Sequence, residues 1–227
     1  MYTNLTLIDS GTVRRGNYNH IEAAGNIYIE PGVHFNTMNA TGNLTGIDIC
    51  GGSLSLDGTL SLPSGHIQVS ILSGQGRIVG PGNIQAGIID FQGLLKTEGK
   101  IRVKHLLKFS GLMEDQKLVI ARDIDLCGVL DIDVAIAKHV CIRTMHPKVV
   151  SLKDVRWMIR PSHVNRLTCR YAELHKCGCC ILESYAADLK EGSFIHHAVC
   201  LSTITTDRSS ASVMTLGGAK RYHVARC

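Results

Sequence analysis

Ile89-Asp90-Phe91-Gln92-Gly93 reads apolar, any, apolar, any, glycine, and that pattern returns along the chain. It appears as IEAAG ending at Gly25, IDICG at Gly51, SILSG at Gly74, LKFSG at Gly111 and IDLCG at Gly128. Counted between these glycines, the spacing starts at about 23 to 26 residues and tightens to roughly 17 to 19, a period of stacked supersecondary units rather than of one globular core. Between the copies lie further alternating runs, such as Leu54–Leu56, Leu60–Leu62 and Ile101–Val103. Alternation at period two sends one face of a strand inward and the other outward. Each repeat thus predicts about three strands of about six residues, cornered by glycine and wound into one turn of a triangular coil. One such coil buries too little to fold alone, and stacking on its neighbours supplies both the ladder hydrogen bonds and the covered apolar layer. The expected fold class is all-β, a β-helix or β-solenoid with about three short strands per coil, in which Phe91, Phe109 and Leu126 line the core.

Composition is uneven along the chain. Nineteen of the 23 glycines lie at or before Gly128, whereas seven of the nine cysteines lie at or beyond Cys141. The expected organisation is a leading strand or cap over 1–15, regular coils over 16–143, modified coils with a basic insertion over 144–206, and a polar loop and tail over 207–227. Around Thr144 to Ser162 the alternation breaks, in a segment that holds the only tryptophan, Trp157. The start, MYTNLTLIDSG, lacks a basic region followed by a long apolar run, and no apolar stretch is as long as a membrane helix requires. A cytoplasmic location, at the inner face of the membrane, and reduced thiols are therefore expected. The formal charge of +5 is concentrated between Lys138 and Lys176, where nine Lys or Arg residues meet only Asp154 and Glu173. Such a face suits an anionic membrane surface. Nucleic acid is disfavoured, because no aromatics interleave the basic residues as stacking platforms.

Several clusters invite a chemical reading. Gly93 to Lys100 faintly suggests a P-loop, but it has one residue too many between the glycines and Ile101 where Ser or Thr must hold magnesium. No cofactor is expected. Cys177, Cys179, His196 and Cys200 carry zinc-type donors about one coil apart, although their spacing is not two clean pairs. Asp123 with Asp125, and Asp131 with Asp133, share a strand face as the acid pairs of polysaccharide-cleaving β-helices do, yet alternation places them outward, toward solvent. His20, His34, His66 and His105 fall in repeat arms and read as surface residues. No catalytic residue is assigned.

LKFSG with its short glycine-closed arms, Gly16-Asn17-Tyr18-Asn19-His20-Ile21 near the start, and Leu182-Glu183, Ala187, Gly192 and Cys200 near the end resemble bactofilins, in particular the branch common in Firmicutes. The resemblance covers Gly16 to Thr206. It implies a right-handed β-helix that polymerises without nucleotide into cytoskeletal filaments and scaffolds envelope or peptidoglycan-associated proteins that set cell shape. The segment from Thr144 to Lys176 departs from it, being less coil-like than a bactofilin core. A hexapeptide-type acyltransferase, suggested by Ile78 to Asn83, and a polysaccharide-active β-helix remain as enzyme alternatives. On the scaffold reading the end coils join copies of the chain into a homopolymer. The expected contact residues are Leu5, Leu7, Ile21 and Ile27 at one end and Phe194, Val199, Leu201 and Ile204 at the other.

Overall fold

The computed structural model describes residues 3–144, 161–207, 213–217 and 220–224, and among these every regular element is a strand. The chain forms two compact units, Met1–Phe109 and Ser110–Cys227. Each is a parallel β-solenoid.

The first unit holds β1 (Thr3–Leu7), β2 (Ser10–Val13), β3 (Gly16–Ile29), β4 (Val33–Gly46), β5 (Ile49–Ser61), β6 (Ile67–Gly80), β7 (Ile84–Thr97) and the start of β8 (Lys100–Arg143). From β3 to β7 one strand makes one turn. In β4, for example, the buried residues come as Val33 and Phe35, Met38 and Ala40, then Leu44 and Gly46, with outward residues between the pairs. Three short arms per turn, two inward residues each, is what period-two alternation interrupted by corners produces.

Parallel pairing stacks like arms. Ile21, Met38, Leu54, Leu72 and Ile89 form one inward column, and Ile27, Leu44, Leu60, Ile78 and Leu95 another. None of these ten is more than 3% exposed. Each turn thereby covers the apolar layer of the next, at about 25 cal/mol for every Å² removed from water.

Between the second and third arms runs a column of Gly25, Gly42, Gly58, Gly76 and Gly93. The register gives turns of 17, 16, 18 and 17 residues, the differences between successive members of that column. This corrects the uneven spacing expected from the sequence. Gly51 and Gly74 are not corners of this column: Gly51 pairs with Phe35 and Val69, and Gly74 with Leu56 and Phe91. A Cβ on Gly51 would collide with the Phe35 ring, so this glycine makes room for an aromatic one turn away. Ser10 and Gly11 belong to β2, and Asp9, with φ 73°, makes the corner before it.

The second unit continues β8 and adds β9 (Ser162–His175), β10 (Cys177–Lys190), β11 (Phe194–Asp207), β12 (Val213–Gly217) and β13 (Lys220–Val224). Asp131 pairs with His163, 32 positions on, whereas Ser162 pairs with Cys177, 15 positions on. The step from β8 to β9 is thus longer than one turn; Trp157 lies outside the described residues. The ladder resumes at Ser162, where the break in alternation is expected to end, and β9 has the same alternation as its neighbours, so the departure from a coil does not extend to Lys176. Inward columns here are Leu167, Leu182 and Ala198; Val164, Cys179 and Ile195; and Cys169, Ser184 and Cys200. β12 and β13 both pair with β11, so β11 is not the last rung. Phe91, Phe109 and Leu126 are all core residues, 2%, 1% and 0% exposed.

Candidate functional site

The corner between the first and second arms faces outward in every turn, and its occupants change along the chain. In the first unit it begins as a polar ladder: the Asn36 amide donates to the Asn19 side-chain oxygen at 3.0 Å, and His20 meets Thr37 Oγ1 at 2.7 Å and Glu22 at 2.8 Å. The Asn39 and His20 bonds hold the Glu22 carboxyl below its ordinary value. The next occupants are smaller, Gly52, Ser70 and Gly87, and the surface sinks into a groove of about 610 Å³. Outward side chains from five successive strands line it, among them His34, Gln68, Ser70, Gln85, Lys104 and His105. Its floor is Gly51, Val69 and Ala86, and among the described residues no Asp or Glu lines it.

In the second unit the corresponding corner is aromatic. His139 pairs with Tyr171 in the ladder and stacks on it at 5.5 Å between ring centroids, and Tyr185 meets Tyr171 edge-on at 6.0 Å. Arg170 lies 5.5 Å from the centre of the Tyr171 ring, within cation–π range. Asp123 anchors the other side of His139 at 2.6 Å.

The zinc-type donors do not converge. Cys177, Cys179 and Cys200 point into the core, whereas His196 faces solvent, and the residue beside Cys179 on β11 is Ile195. Among the described residues no group of three or more Cys, His, Asp or Glu side chains has metal-binding geometry. Burial pushes the thiols of Cys169 and Cys179 up to about 12, and that of Cys177 higher, so all three stay protonated and behave as small apolar fillers. The Ser184 hydroxyl lies 2.8 Å from Cys200 Sγ, giving both polar atoms a partner inside the core.

Of the acid pairs, Asp123 is engaged by His139 and Asp125 by Arg143. Asp131 and Asp133 line a depression of about 250 Å³ with Asp115, Gln116 and Lys117. The described part of the basic segment is largely tied into ladders: Arg143 to Asp125, Arg166 to Glu183 at 2.6 Å, and Lys176 to Glu191 at 3.6 Å. Hydrogen bonds from Arg166 and Thr168 hold the Glu183 carboxyl low. Lys148, Lys153, Arg156 and Arg160 lie outside the described residues. No described helix is long and apolar enough to cross a membrane.

The assembly residues divide. Leu5 and Leu7 lie on β1, the terminal strand of the sheet, in register with Ile21 and Ala23. Ile21, Ile27 and Ile204 are 0%, 3% and 0% exposed, so they are core, not contact, residues. Phe194, Val199 and Leu201 are 44%, 48% and 77% exposed but point sideways from β11, which β12 and β13 cover. The groove and the aromatic corner escaped a reading by composition, because the partners sit one turn apart: Gln68 and Gln85, or Ile71 and Ile88, become neighbours only once the register is known. Comparison with protein-family models, curated proteins and solved structures finds no match for this chain.

Proposed function

We propose that the chain is a structural scaffold that associates with copies of itself through its terminal rungs, without nucleotide and without catalysis. One observation carries the reading. On β1 the apolar side chains Leu5 and Leu7 are only half buried and Ile8 beside them is 69% exposed, while Ile21 and Ala23, one rung in, are 0% and 3% exposed. Among the described residues β1 pairs with β3 on one side only, at the end of the strand order. An uncovered apolar rung with an open hydrogen-bonding edge is a template for another strand. A second copy presenting the same edge supplies one, giving a closed dimer; contacts at both ends give a filament. The likeness of the repeats to bactofilins supports the same reading, and with it a cytoplasmic filament beneath an anionic membrane, holding envelope-associated proteins.

Sedimentation velocity and electron microscopy of the purified, nucleotide-free chain test it. Assemblies larger than the monomer are expected, and the double substitution Leu5→Lys and Leu7→Lys dissolves them with no change in β-sheet circular dichroism. Phe194→Lys, on the side of β11, leaves them intact. A wild-type chain that stays monomeric at high concentration overturns the proposal.

A further inference from the structure

The groove in the first unit has a chemistry of its own, independent of the terminal rungs. It crosses β4 to β8, so its long axis follows the stacking direction and steps from strand to strand at ~4.8 Å per turn. Elsewhere on this unit the outward side chains satisfy each other across turns: Asn26 with Asn43 at 2.9 Å, Asp57 with Gln75 at 3.2 Å, Asp90 with Lys108 at 3.0 Å. In the groove they do not. Among the described residues, the side chains of His34, Gln68, Gln85, Lys104 and His105 make no hydrogen bond or ion pair with one another or with their surroundings.

What would satisfy them follows from their types. Gln68 and Gln85 are paired in register, so two amides repeat one rung apart, each with donors and an acceptor. Ser70 adds a hydroxyl that both gives and accepts. Lys104 adds fixed positive charge, and among the described residues no carboxylate lines the groove to oppose an anion. Ile88 offers an apolar contact and is 36% exposed. A polyphosphate only accepts, and would leave the amide and hydroxyl acceptors unmatched. An extended acidic peptide repeats its same-side groups every ~6.6 Å and would drift out of step with the rungs. A linear sugar chain repeats close to one rung per residue, carries hydroxyls that donate and accept, and presents C–H faces to an apolar rim.

We propose that this groove binds a linear oligosaccharide bearing carboxylates, an oligouronate, with sugar hydroxyls on Gln68, Ser70 and Gln85 and a carboxylate on Lys104. It binds without cleaving, since the pair of carboxyl groups that glycoside hydrolysis requires is absent from the lining.

Isothermal titration calorimetry of the full chain tests this, with a hexameric oligogalacturonate as probe and a neutral glucose hexamer, oligoglutamate and polyphosphate as comparisons. The uronate is expected to bind with a dissociation constant of about 1 mM or tighter. Lys104→Glu and the double variant Gln68→Ala, Gln85→Ala, all at exposed positions, each weaken it about tenfold or more while the circular dichroism is unchanged. Absence of saturation, equal binding of any comparison chain, or an unaffected Lys104→Glu overturns the proposal. The Leu5→Lys, Leu7→Lys chain binds the uronate as wild type does, so failure of assembly and failure of sugar binding are separate results.

Discussion

Gly25, Gly42, Gly58, Gly76 and Gly93 close the turns of the first unit at φ between 101° and 145°, whereas from β9 onward the second unit closes its turns at Lys176, with φ 47°, and Gly192, with φ 69°. The two differ in what limits them. In the first unit a Cβ on Gly76 would fall on the Gly58 carbonyl oxygen, and one on Gly42 would stand 2.6 Å from that of Gly25. Backbone passes backbone with no space for a side chain. In the second, Gly111 and Gly128 keep positive φ, and after β9 Lys176 takes the corner with a full side chain. The inward layers differ in parallel. Branched and aromatic apolar residues with Met38 fill most of the first unit, while β9 to β11 set Cys169, Cys177, Cys179, Cys200, Ala172, Ala187 and Ala198 among their Leu, Ile and Val. One unit is constrained at its backbone corners; the other admits a side chain at a corner and carries more small residues in its core.

The sharpest way to break that contrast is at the corners. Gly76→Val puts a branched side chain at φ 128° against the neighbouring carbonyl and is expected to destabilise the first unit by at least ~4 kcal/mol, in the range reserved for strain or gross misfit. Lys176→Gly relieves a left-handed non-glycine residue and is expected to leave the second unit unchanged or more stable by up to ~1 kcal/mol. Native-state hydrogen exchange reads the two units separately. A cost below ~1 kcal/mol for Gly76→Val would mean that the glycine column is a convenience and not a requirement.

The same contrast explains how much was legible in the sequence. Period-two alternation placed Leu54, Leu72, Ile89 and Phe109 inward, and all four are buried, because alternation depends only on the strand itself. The glycine pattern misled at Gly51 and Gly74. An apolar residue before glycine also occurs within an arm, where Gly51 yields space to the Phe35 ring in the adjacent turn and Gly74 passes close to the Leu56 backbone. The residue two places after the glycine discriminates better: Ile27, Leu44, Leu60, Ile78 and Leu95 follow the column members, whereas Ser53 follows Gly51. The zinc reading of Cys177, Cys179, His196 and Cys200 failed for a related reason. Donors one turn apart in sequence meet only when they share a face, and His196 does not. His139 and Tyr171 are 32 positions apart across the connection, so no fixed period pointed to their stacking.

Alkaline pH offers the next test, of intermediate size. The Cys169 and Cys179 thiols rise from 9.0 to about 12 in the folded chain, so between those values the unfolded chain has released protons that the folded chain retains. The stabilisation is complete below pH 9 and is lost as pH climbs toward 12, at about 1.4 kcal/mol per pH unit for each thiol. Hydrogen exchange should therefore show β9 to β11 opening at lower alkaline pH than β4 to β7. Cys177 shares this direction, so Cys179→Ala removes one of three strongly raised thiols and flattens the dependence by about a third. An unchanged alkaline profile in that variant would assign the loss to other titrating groups.

The smallest effect should come from the outward ladders, where the units are alike. Lys108 meets Asp90 at 3.0 Å in the first unit and Arg166 meets Glu183 at 2.6 Å in the second, all four side chains about a third to a half exposed. Solvent screens both pairs, and holding long side chains in one geometry offsets much of the attraction. Lys108→Gln and Arg166→Gln are each expected to cost about 0 to 1 kcal/mol in urea unfolding, and less at high salt. Glu183 also accepts from Thr168 Oγ1 at 2.9 Å, so its carboxylate keeps a partner when Arg166 is removed, which holds the loss near the lower end. A cost above ~2 kcal/mol for Arg166→Gln alone would show that the second unit, with its smaller core residues, relies on its outer face as the first does not.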